Sequence, residues 1–174
     1  MISWRPIMRG LDRLDDRLLR ALLTSLRNEL VVRHGPEFVS LVLYGSRARG
    51  TARPGSDIDL LLVAEKPRQW DGMAGVRSAF ESCEDYRAWV RERGVPTFDI
   101  VPLTPAEADE SRYLYLDMVD EAVFVHDHGD FMCRRLERLR ERLRELGSHR
   151  AWLADGSYLW ILKPGFRLGD TVEF

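Results

Sequence analysis

The chain has 174 residues, of which 45% are hydrophobic and 31% are charged, a composition typical of one globular unit with its own core. Its formal net charge is −2, so we expect no bulk binding of nucleic acid by charge alone. Cys83 and Cys133 are too few and too far apart for a disulfide framework or a zinc site, which favours a reducing compartment.

The N-terminal residues MISWRPIMRG lack the apolar stretch of a signal peptide. No segment approaches the roughly 20 apolar residues of a membrane span. We therefore expect a cytoplasmic protein.

Helix and strand patterns alternate in the first third of the chain. Leucines at helical spacing predict a helix over residues 11–34, which Gly35-Pro36 would end. The Val- and Leu-rich segment Phe38–Tyr44 predicts a buried strand. Residues 45–55 are typical of a connection with at most a short helical turn, and residues 56–63 predict a second strand.

The middle of the chain repeats this alternation. The patterns predict, in order, a helix over residues 71–93, a strand over 95–103, a helix from 105 to about 119 and a short strand over 122–125. Gly94 would end the first of these helices, and Pro105 suits the first turn of the second. Pro102 indicates the end of a strand or the edge of a sheet.

The last part of the chain predicts an amphipathic helix followed by a hairpin. Leucines at helical spacing between arginines and glutamates indicate a helix over residues 130–146, whose charged face we expect to be solvated. Asp155-Gly156 between aromatic flanks predicts a β-hairpin. Four aromatic residues of this segment could stack on a base, but packing of the hairpin is the favoured interpretation: Trp152, Tyr158, Trp160 and Phe166.

These elements predict an α/β (α+β) fold, with a mixed β-sheet flanked by helices and a C-terminal extension made of a helix and a β-hairpin. The sequence His126-Asp127-His128 superficially suggests a metal site. No further ligands are spaced nearby, so we interpret it as a polar loop after a short strand.

Two aspartates interrupt the second predicted strand. Asp57 and Asp59 would share one face of that strand while Ile58 faces the core. Their Cα atoms would lie about 6–7 Å apart, close enough for one site. Two adjacent carboxylates repel each other, and a divalent cation would reverse that repulsion. Mg²⁺ is the fitting ion, because it takes hard oxygen ligands together with substrate phosphates.

The segment before this strand has the residues of a phosphate-binding turn. Gly45 after a strand permits a tight turn, and the backbone N–H groups of a following helical turn attract anions. Ser46 adds a hydroxyl donor. Arg47, Arg49 and Arg53 could bind phosphate oxygens through their guanidinium groups, although each could equally be ordinary surface charge.

Together, these segments resemble the signature of the nucleotidyltransferase superfamily that includes DNA polymerase beta. Tyr44-Gly45-Ser46 is followed after ten residues by Asp57-Ile58-Asp59-Leu60. The runs GSRARG and SDIDLL are most similar to the minimal nucleotidyltransferase (MNT) branch, and the resemblance covers residues 38–103. It implies a nucleotidyltransferase domain over residues 1–128, including the N-terminal helix. Residues 129–174 would add the C-terminal helix and hairpin, packed on the same domain.

The family uses a third carboxylate on a neighbouring strand, and Asp99 in TFDIV is the match. Competing acids stand in a helical context: Asp109, Glu110, Asp117 and Asp120. The resemblance implies that Asp57, Asp59 and Asp99 are catalytic and bind two Mg²⁺ ions. Asp99 would hold the second ion and help to deprotonate an attacking hydroxyl.

The same resemblance implies a substrate and a reaction. The hydroxyl would attack the α-phosphorus of a nucleoside triphosphate, with ATP expected, and pyrophosphate would leave. The β- and γ-phosphates would be bound by Gly45 and Ser46, with help from Arg47 and Arg49. Ser56 would either contact phosphate or stabilise the start of the strand.

Small members of the superfamily are often antitoxins that transfer AMP to a tyrosine of a helical HEPN toxin. The resemblance therefore implies a protein adenylyltransferase with a HEPN-type partner. One alternative is a small-molecule nucleotidyltransferase that modifies an aminoglycoside-like hydroxyl. The other is a non-catalytic antitoxin that acts by binding alone. The base preference and the oligomeric state, including a possible homo-oligomer, stay open.

Overall fold

The computed structural model describes residues 10–70, 73–154 and 158–165. Within them, four strands form one sheet in the order β3-β2-β1-β4: β1 (Phe38–Tyr44), β2 (Ile58–Ala64), β3 (Phe98–Leu103) and β4 (Val123–Asp127). Strand β1 is antiparallel to β2 and β4, whereas β2 and β3 are parallel. The predicted mixed sheet is therefore confirmed, and Pro102 lies on an edge strand as expected.

Helices cover both faces of this sheet. In the described part of the chain they are α1 (Arg17–His34), α2 (Gly45–Arg49), α3 (Met73–Ser82), α4 (Glu84–Arg93), α5 (Pro105–Asp109), α6 (Leu114–Glu121) and α7 (Phe131–Glu145). Short 3-10 helices occupy Leu11–Arg13, Gly35–Glu37, Pro67–Gln69 and His128–Asp130. No helix among these residues is both long enough and apolar enough to cross a membrane.

The sheet separates two apolar cores. On one face, Leu41, Leu43 and Leu60 pack in a cluster with residues of α1, α3 and α4. On the other face, Val42 and Leu61 pack in a second cluster with residues of α6 and α7. Both faces of β1 and β2 are buried because successive side chains point to opposite faces and each face is covered by helices.

Three predicted helices are interrupted. The helix expected over residues 11–34 is a 3-10 helix at Leu11–Arg13 followed by α1 from Arg17, and two others are each divided into two α-helices. The helix expected over residues 71–93 is interrupted at Cys83, whose backbone is extended. The side chains of Ser82 and Cys83 donate hydrogen bonds at 3.0 Å to the Ala79 carbonyl in the last turn of α3. These side chains occupy a carbonyl that a continuing helix would use, and a new helix starts at Glu84.

The helix expected from residue 105 to 119 ends at Asp109, because side chains take up its last carbonyl groups. The Glu107 carbonyl accepts from Arg112 Nε at 3.0 Å, the Ala108 carbonyl from Tyr115 Oη at 3.0 Å, and the Asp109 carbonyl from Arg135 Nε at 3.1 Å. Arg135 belongs to α7, so this break depends on a helix later in the chain.

Helix α7 lies where the sequence predicts an amphipathic helix, and its apolar side is buried in the second core: Met132, Cys133, Leu136, Leu139 and Leu143. Its charged face is only partly solvated. Arg135 and Arg140 are 6% and 5% exposed, because both bind backbone carbonyls of neighbouring elements. The other charged residues of this face are mostly exposed, as the sequence predicts: Arg134, Arg138, Glu141, Arg142, Arg144 and Glu145.

The predicted hairpin is confirmed as β5 (His149–Trp152) and β6 (Tyr158–Ile161), which pair antiparallel. Trp160 packs against the second core, as the packing interpretation requires, whereas Trp152 is 66% exposed and its ring contacts Tyr158 within the hairpin. Asp155-Gly156 and Phe166 lie outside the described residues. The division of the chain at residue 128 stays a prediction.

Candidate active site

Two strand pairings bring the candidate residues together at one end of the sheet. Tyr44, the last residue of β1, is paired with Asp59 in β2. The parallel pairing of β2 with β3 places Asp99 directly beside Asp59. Paired residues on neighbouring strands share a face of the sheet, so these side chains face the same side. Asp57 stands immediately before β2 and, like Asp99, is exposed, whereas Asp59 is half-buried.

The glycine of the signature lies against the central aspartate. Gly45 has a φ of 72°, and a Cβ atom built on it would lie 2.0 Å from Oδ2 of Asp59. Helix α2 starts at Gly45, and the Ser46 carbonyl accepts a hydrogen bond from the Thr51 amide at 2.9 Å. Within the described residues the Ser46 hydroxyl has no hydrogen-bond partner, so it is available to a ligand.

The charges at this end of the sheet act on one another. Burial raises the pKa of the Asp59 carboxyl, and Asp99 and Asp57 raise it further, while Arg49 and Arg47 partly offset the shift. Burial also raises the pKa of Tyr44 to about 12, with Asp99 and Asp59 adding to the effect. Tyr44 is therefore a neutral phenol at physiological pH, and Asp59 is a carboxyl whose ionised form the site disfavours.

The chemistry of these aspartates fits a hard divalent cation, although the described residues hold no preassembled group of three such ligands. Across residues 10–70, 73–154 and 158–165, no group of three or more His, Cys, Asp or Glu side chains is arranged to hold a metal ion. Asp57, Asp59 and Asp99 are thus not gathered into a three-ligand set. Their oxygens are the donors that Mg²⁺ prefers, and it commonly binds one or two carboxylates together with substrate phosphates. The electrostatic repulsion at Asp59 is what such an ion would relieve.

Arg47 binds the backbone leading into β2. Its Nε donates to the Asp57 carbonyl at 3.0 Å, and its Nη2 donates to the Ser56 carbonyl. The guanidinium also lies 5.0 Å from the ring centroid of the buried Trp89. Arg47 therefore holds Asp57 in position here, and its contact with phosphate stays a prediction.

A polar network extends from Trp89 to the start of α1. Arg93 lies 4.8 Å from the ring centroid of Trp89 and pairs with Asp16, the N-cap of α1. These residues line a cavity of about 400 Å³ that also borders Ser56. The network connects helices α1 and α4 to the segment that presents Asp57.

Arg49 and Ser56 also have partners within the protein. Arg49 Nη1 donates to Glu121 Oε2 at 3.1 Å. The Ser56 Oγ accepts from the Arg53 amide at 2.9 Å and closes the turn before β2. The structural alternative for Ser56 is thus present, and its contact with phosphate stays a prediction.

Trp89 and Glu121 contact predicted site residues but carry no signal in the sequence. Both lie far from the motif along the chain, and each is an ordinary helix residue in its own segment. Tyr44, by contrast, could have been found from the sequence. If the two strands that flank residues 45–57 pair antiparallel, Tyr44 lies near Asp59.

Residues 23–125 match the family model of the nucleotidyltransferase domain. A candidate protein adenylyltransferase of Methanocaldococcus jannaschii is 36% identical over 52 residues, which are 30% of this chain and 35% of that relative. The chain thus spans only about a third of the length of this relative.

Solved structures also match, among them the following three. A toxin–antitoxin with AMP-PNP is 14% identical, with 71% of this chain and 92% of that chain covered and a TM-score of 0.41. The toxin–antitoxin MntA–HepT is 15% identical, with coverages of 72% and 92% and a TM-score of 0.40. A tri-AMPylated Shewanella oneidensis HEPN toxin in complex with an MNT antitoxin is 16% identical, with coverages of 72% and 91% and a TM-score of 0.40.

Because these TM-scores lie below 0.5, the assignment rests on the family model, which spans all three strands that present Tyr44, Asp59 and Asp99. The match covers more than half of the chain. As its motif predicted, the chain belongs to the nucleotidyltransferase domain family.

Proposed function

We propose that the protein is a Mg²⁺-dependent nucleotidyltransferase that transfers AMP from ATP to a hydroxyl group and releases pyrophosphate. The observation that carries this proposal is the register that places Asp59 beside Asp99 and against Gly45. This register brings together, at one end of the sheet, the carboxylate oxygens of Asp59 and Asp99, their negative charge and the turn at Gly45, which has no side chain.

The aspartates have distinct roles in this proposal. Asp57 and Asp59 would hold the two Mg²⁺ ions, and Asp99 would be a further ligand of the second ion. When bound, the ions supply the positive charge that neutralises the phosphate oxygens and stabilises the entering and leaving oxygens. Asp99 is exposed, and it accepts the proton of the attacking hydroxyl.

The turn at the start of α2 binds the triphosphate. The Ser46 hydroxyl donates to a phosphate oxygen, and the absence of a side chain at Gly45 lets the phosphates approach the backbone. Arg49 can donate from the N–H groups that Glu121 leaves free. Arg47 contributes mainly by holding the carbonyls of Ser56 and Asp57.

The acceptor in our proposal is a tyrosine hydroxyl of a HEPN-type toxin, so that the protein acts as the antitoxin of a toxin–antitoxin pair. The motif's similarity to the MNT branch supports this acceptor. The name of the Methanocaldococcus jannaschii relative, a candidate protein adenylyltransferase, agrees with a protein as acceptor.

The test is to incubate the protein with α-phosphate-labelled ATP, Mg²⁺ and the product of the neighbouring gene. We expect label on a tyrosine of that product and no label after chelation of Mg²⁺. Asp57→Asn, Asp59→Asn and Asp99→Asn should each abolish transfer while the protein stays folded. Asp109→Asn, at an exposed acid on α5, is the matched control and should retain transfer.

Each alternative predicts a different result. Label on an aminoglycoside instead of a protein would indicate a small-molecule transferase. Neutralisation of the toxin by an Asp57→Ala/Asp59→Ala variant would indicate an antitoxin that acts by binding alone. No transfer to any acceptor, together with no metal-dependent nucleotide binding, would contradict the proposed activity.

A further inference from the structure

Glu121, the last residue of α6, connects the phosphate-binding turn to the C-terminal hairpin. Its Oε2 accepts from Arg49 Nη1 of α2 at 3.1 Å, and its Oε1 accepts from Arg150 Nη1 of β5 at 2.7 Å. The side chains of Glu121 and Arg150 are 13% and 14% exposed, and that of Arg49 is 32% exposed. Two arginines from separate elements thus share one largely buried carboxylate.

Arg150 contacts two aromatic side chains of the hairpin and an acid of α6. Its guanidinium lies 4.5 Å from the ring centroid of Tyr158 and 5.0 Å from that of Trp160, and it pairs with Asp120 at 3.7 Å. Tyr158 Oη and Trp160 Nε1 both donate to Asp117 Oδ1, at 2.6 Å and 3.5 Å. The hairpin is therefore attached to α6 by two groups of contacts, one at each end of the same helical turn.

Arg49 needs such a restraint if it is to act on a ligand. It ends the five-residue helix that begins with Gly45, and its charge reaches Asp59, whose raised pKa it partly offsets. An arginine side chain loses rotamer freedom when it binds, and that loss weakens the complex unless the side chain is already ordered. Glu121 occupies only part of the guanidinium and leaves other N–H groups of Arg49 free to donate.

We infer that Glu121 positions Arg49 for the phosphates of the nucleotide, and that Arg150 of the hairpin holds Glu121 in place. The C-terminal extension thereby becomes part of the nucleotide-binding site without touching the nucleotide. This inference rests on the proposed function, because it takes Arg49 as a phosphate ligand.

A double-mutant cycle on the affinity for ATP tests the inference. The dissociation constant of ATP in the presence of Mg²⁺ is measured by calorimetry for Glu121→Gln, Arg150→Met and Arg49→Met, and for each of the first two combined with Arg49→Met. We expect Glu121→Gln and Arg150→Met each to weaken binding about two- to tenfold, the cost of ordering one long side chain. In the Arg49→Met background neither should weaken it further. In the transfer assay both should raise KM for ATP and leave kcat unchanged.

Arg135→Met is the matched control. Arg135 is also buried on α7, but it donates to the Asp109 carbonyl at 3.1 Å and to the Ser111 hydroxyl at 3.2 Å, which are not partners of Glu121 or Arg150. We expect this variant to lower the melting temperature and to keep the affinity for ATP. Glu121→Gln preserves the shape of the side chain, so the inference stays testable even if Arg150→Met does not fold.

Two outcomes would overturn the inference: unchanged or tighter ATP binding by Glu121→Gln, or effects of Glu121→Gln and Arg49→Met that simply add. The proposed function fails separately, and the inference with it, if the unmodified protein binds no ATP in the presence of Mg²⁺. If the unmodified protein binds ATP, but no more tightly than Glu121→Gln and Arg150→Met do, the inference alone is contradicted.

Discussion

At the scale of single residues, Asp59 concentrates the electrostatic cost of the site. Burial and two neighbouring carboxylates raise its pKa, so the folded protein binds a proton there more tightly than the unfolded chain does. This contribution to stability is present at low pH and is lost as the pH rises through the raised pKa, because ionised Asp59 destabilises the fold. The ionised form of this proposed metal ligand thus lowers the stability of the metal-free protein.

Asp59→Asn should therefore stabilise the metal-free protein while it abolishes transfer. The charge is partly exposed and screened, so we expect the melting temperature to rise by only about 2 °C at neutral pH. Mg²⁺ with ATP should raise the melting temperature of the unmodified protein and not that of the variant. Differential scanning fluorimetry measures both. A lower melting temperature for the variant would contradict this account of Asp59.

The same shift predicts how nucleotide binding depends on pH. A proton competes with the cation for Asp59, and it does so at a higher pH than for an ordinary aspartate because the pKa is raised. We expect Mg²⁺-dependent affinity for ATP to fall as the pH decreases toward that pKa, with an apparent pKa above the usual 3.8. Titration calorimetry at several pH values measures the midpoint. A midpoint at or below the usual value would contradict the shift.

Gly45 tolerates no side chain, for two reasons. Its φ of 72° is unfavourable for other residues, and a Cβ would meet Oδ2 of Asp59 at 2.0 Å. We expect Gly45→Ala to abolish transfer and to lower the free energy of unfolding by about 2–3 kcal/mol. Gly55→Ala separates the two causes, because Gly55 has a φ of 84° with nothing within 4 Å. The control should cost about 1–2 kcal/mol and retain transfer. Equal activities of the two variants would show that the contact with Asp59 is unimportant.

At the scale of elements, the start of α7 depends on a residue from the preceding strand. Asp127 Oδ1 accepts from the Met132 amide at 3.0 Å, its Oδ2 accepts from the Cys133 amide at 2.9 Å, and the buried Ser40 hydroxyl also donates to it. The acid within His126-Asp127-His128 is therefore a helix cap that also binds β1. His126 and Asp127 belong to β4, so the sequence-based interpretation of this triplet as a loop was wrong.

Asp127→Ala should accordingly destabilise the protein. It removes the hydrogen bonds to the first turn of α7 and leaves the buried Ser40 hydroxyl without its acceptor. We expect the free energy of unfolding to fall by about 2–3 kcal/mol, measured by urea denaturation. His128→Ala, at the exposed neighbour, is the control and should change it by less than about 0.5 kcal/mol. Similar values for both variants would refute the role of the cap.

At the scale of the whole molecule, the described residues form two cores, and the second depends on the C-terminal part of the chain. Helix α7 contributes five buried side chains to the cluster that contains Val42 and Leu61. Each large apolar side chain stabilises by about 1.5–3 kcal/mol when buried, and a domain has only about 5–15 kcal/mol in total. Removal of α7 should therefore cost more free energy than the rest of the fold has as its stability.

Two truncations test this dependence. A chain ending at residue 128 should not unfold cooperatively in urea, because one face of the sheet would be exposed to water. A chain ending at Gly147 retains α7 and should unfold cooperatively, although it lacks Arg150 and the hairpin. Cooperative unfolding of the 1–128 chain would show that residues 129–174 are a separable addition.

Local signals in the sequence were sufficient for the strands, for the hairpin and for the motif. Strands β1 and β2 are continuous apolar runs that end in turn residues, and Gly45-Ser46 with Asp57 and Asp59 carries its chemistry within a few residues. These predictions succeeded because each depends on side-chain type and spacing within one segment. The family follows from the same residues.

Contacts between distant segments decided the rest. One of the three side chains that bind the last carbonyls of the helix after Pro105 is Arg135 of α7, and no pattern near residue 109 indicates that contact. Arg47 binds backbone carbonyls beside Trp89, and Arg49 pairs with Glu121, whereas the motif alone suggests phosphate for both. The sequence by itself determined the family and the residues that we propose for the chemistry. Only the tertiary structure decided which partners hold them, because hydrogen bonds and ion pairs form between groups that the chain separates and folding brings together.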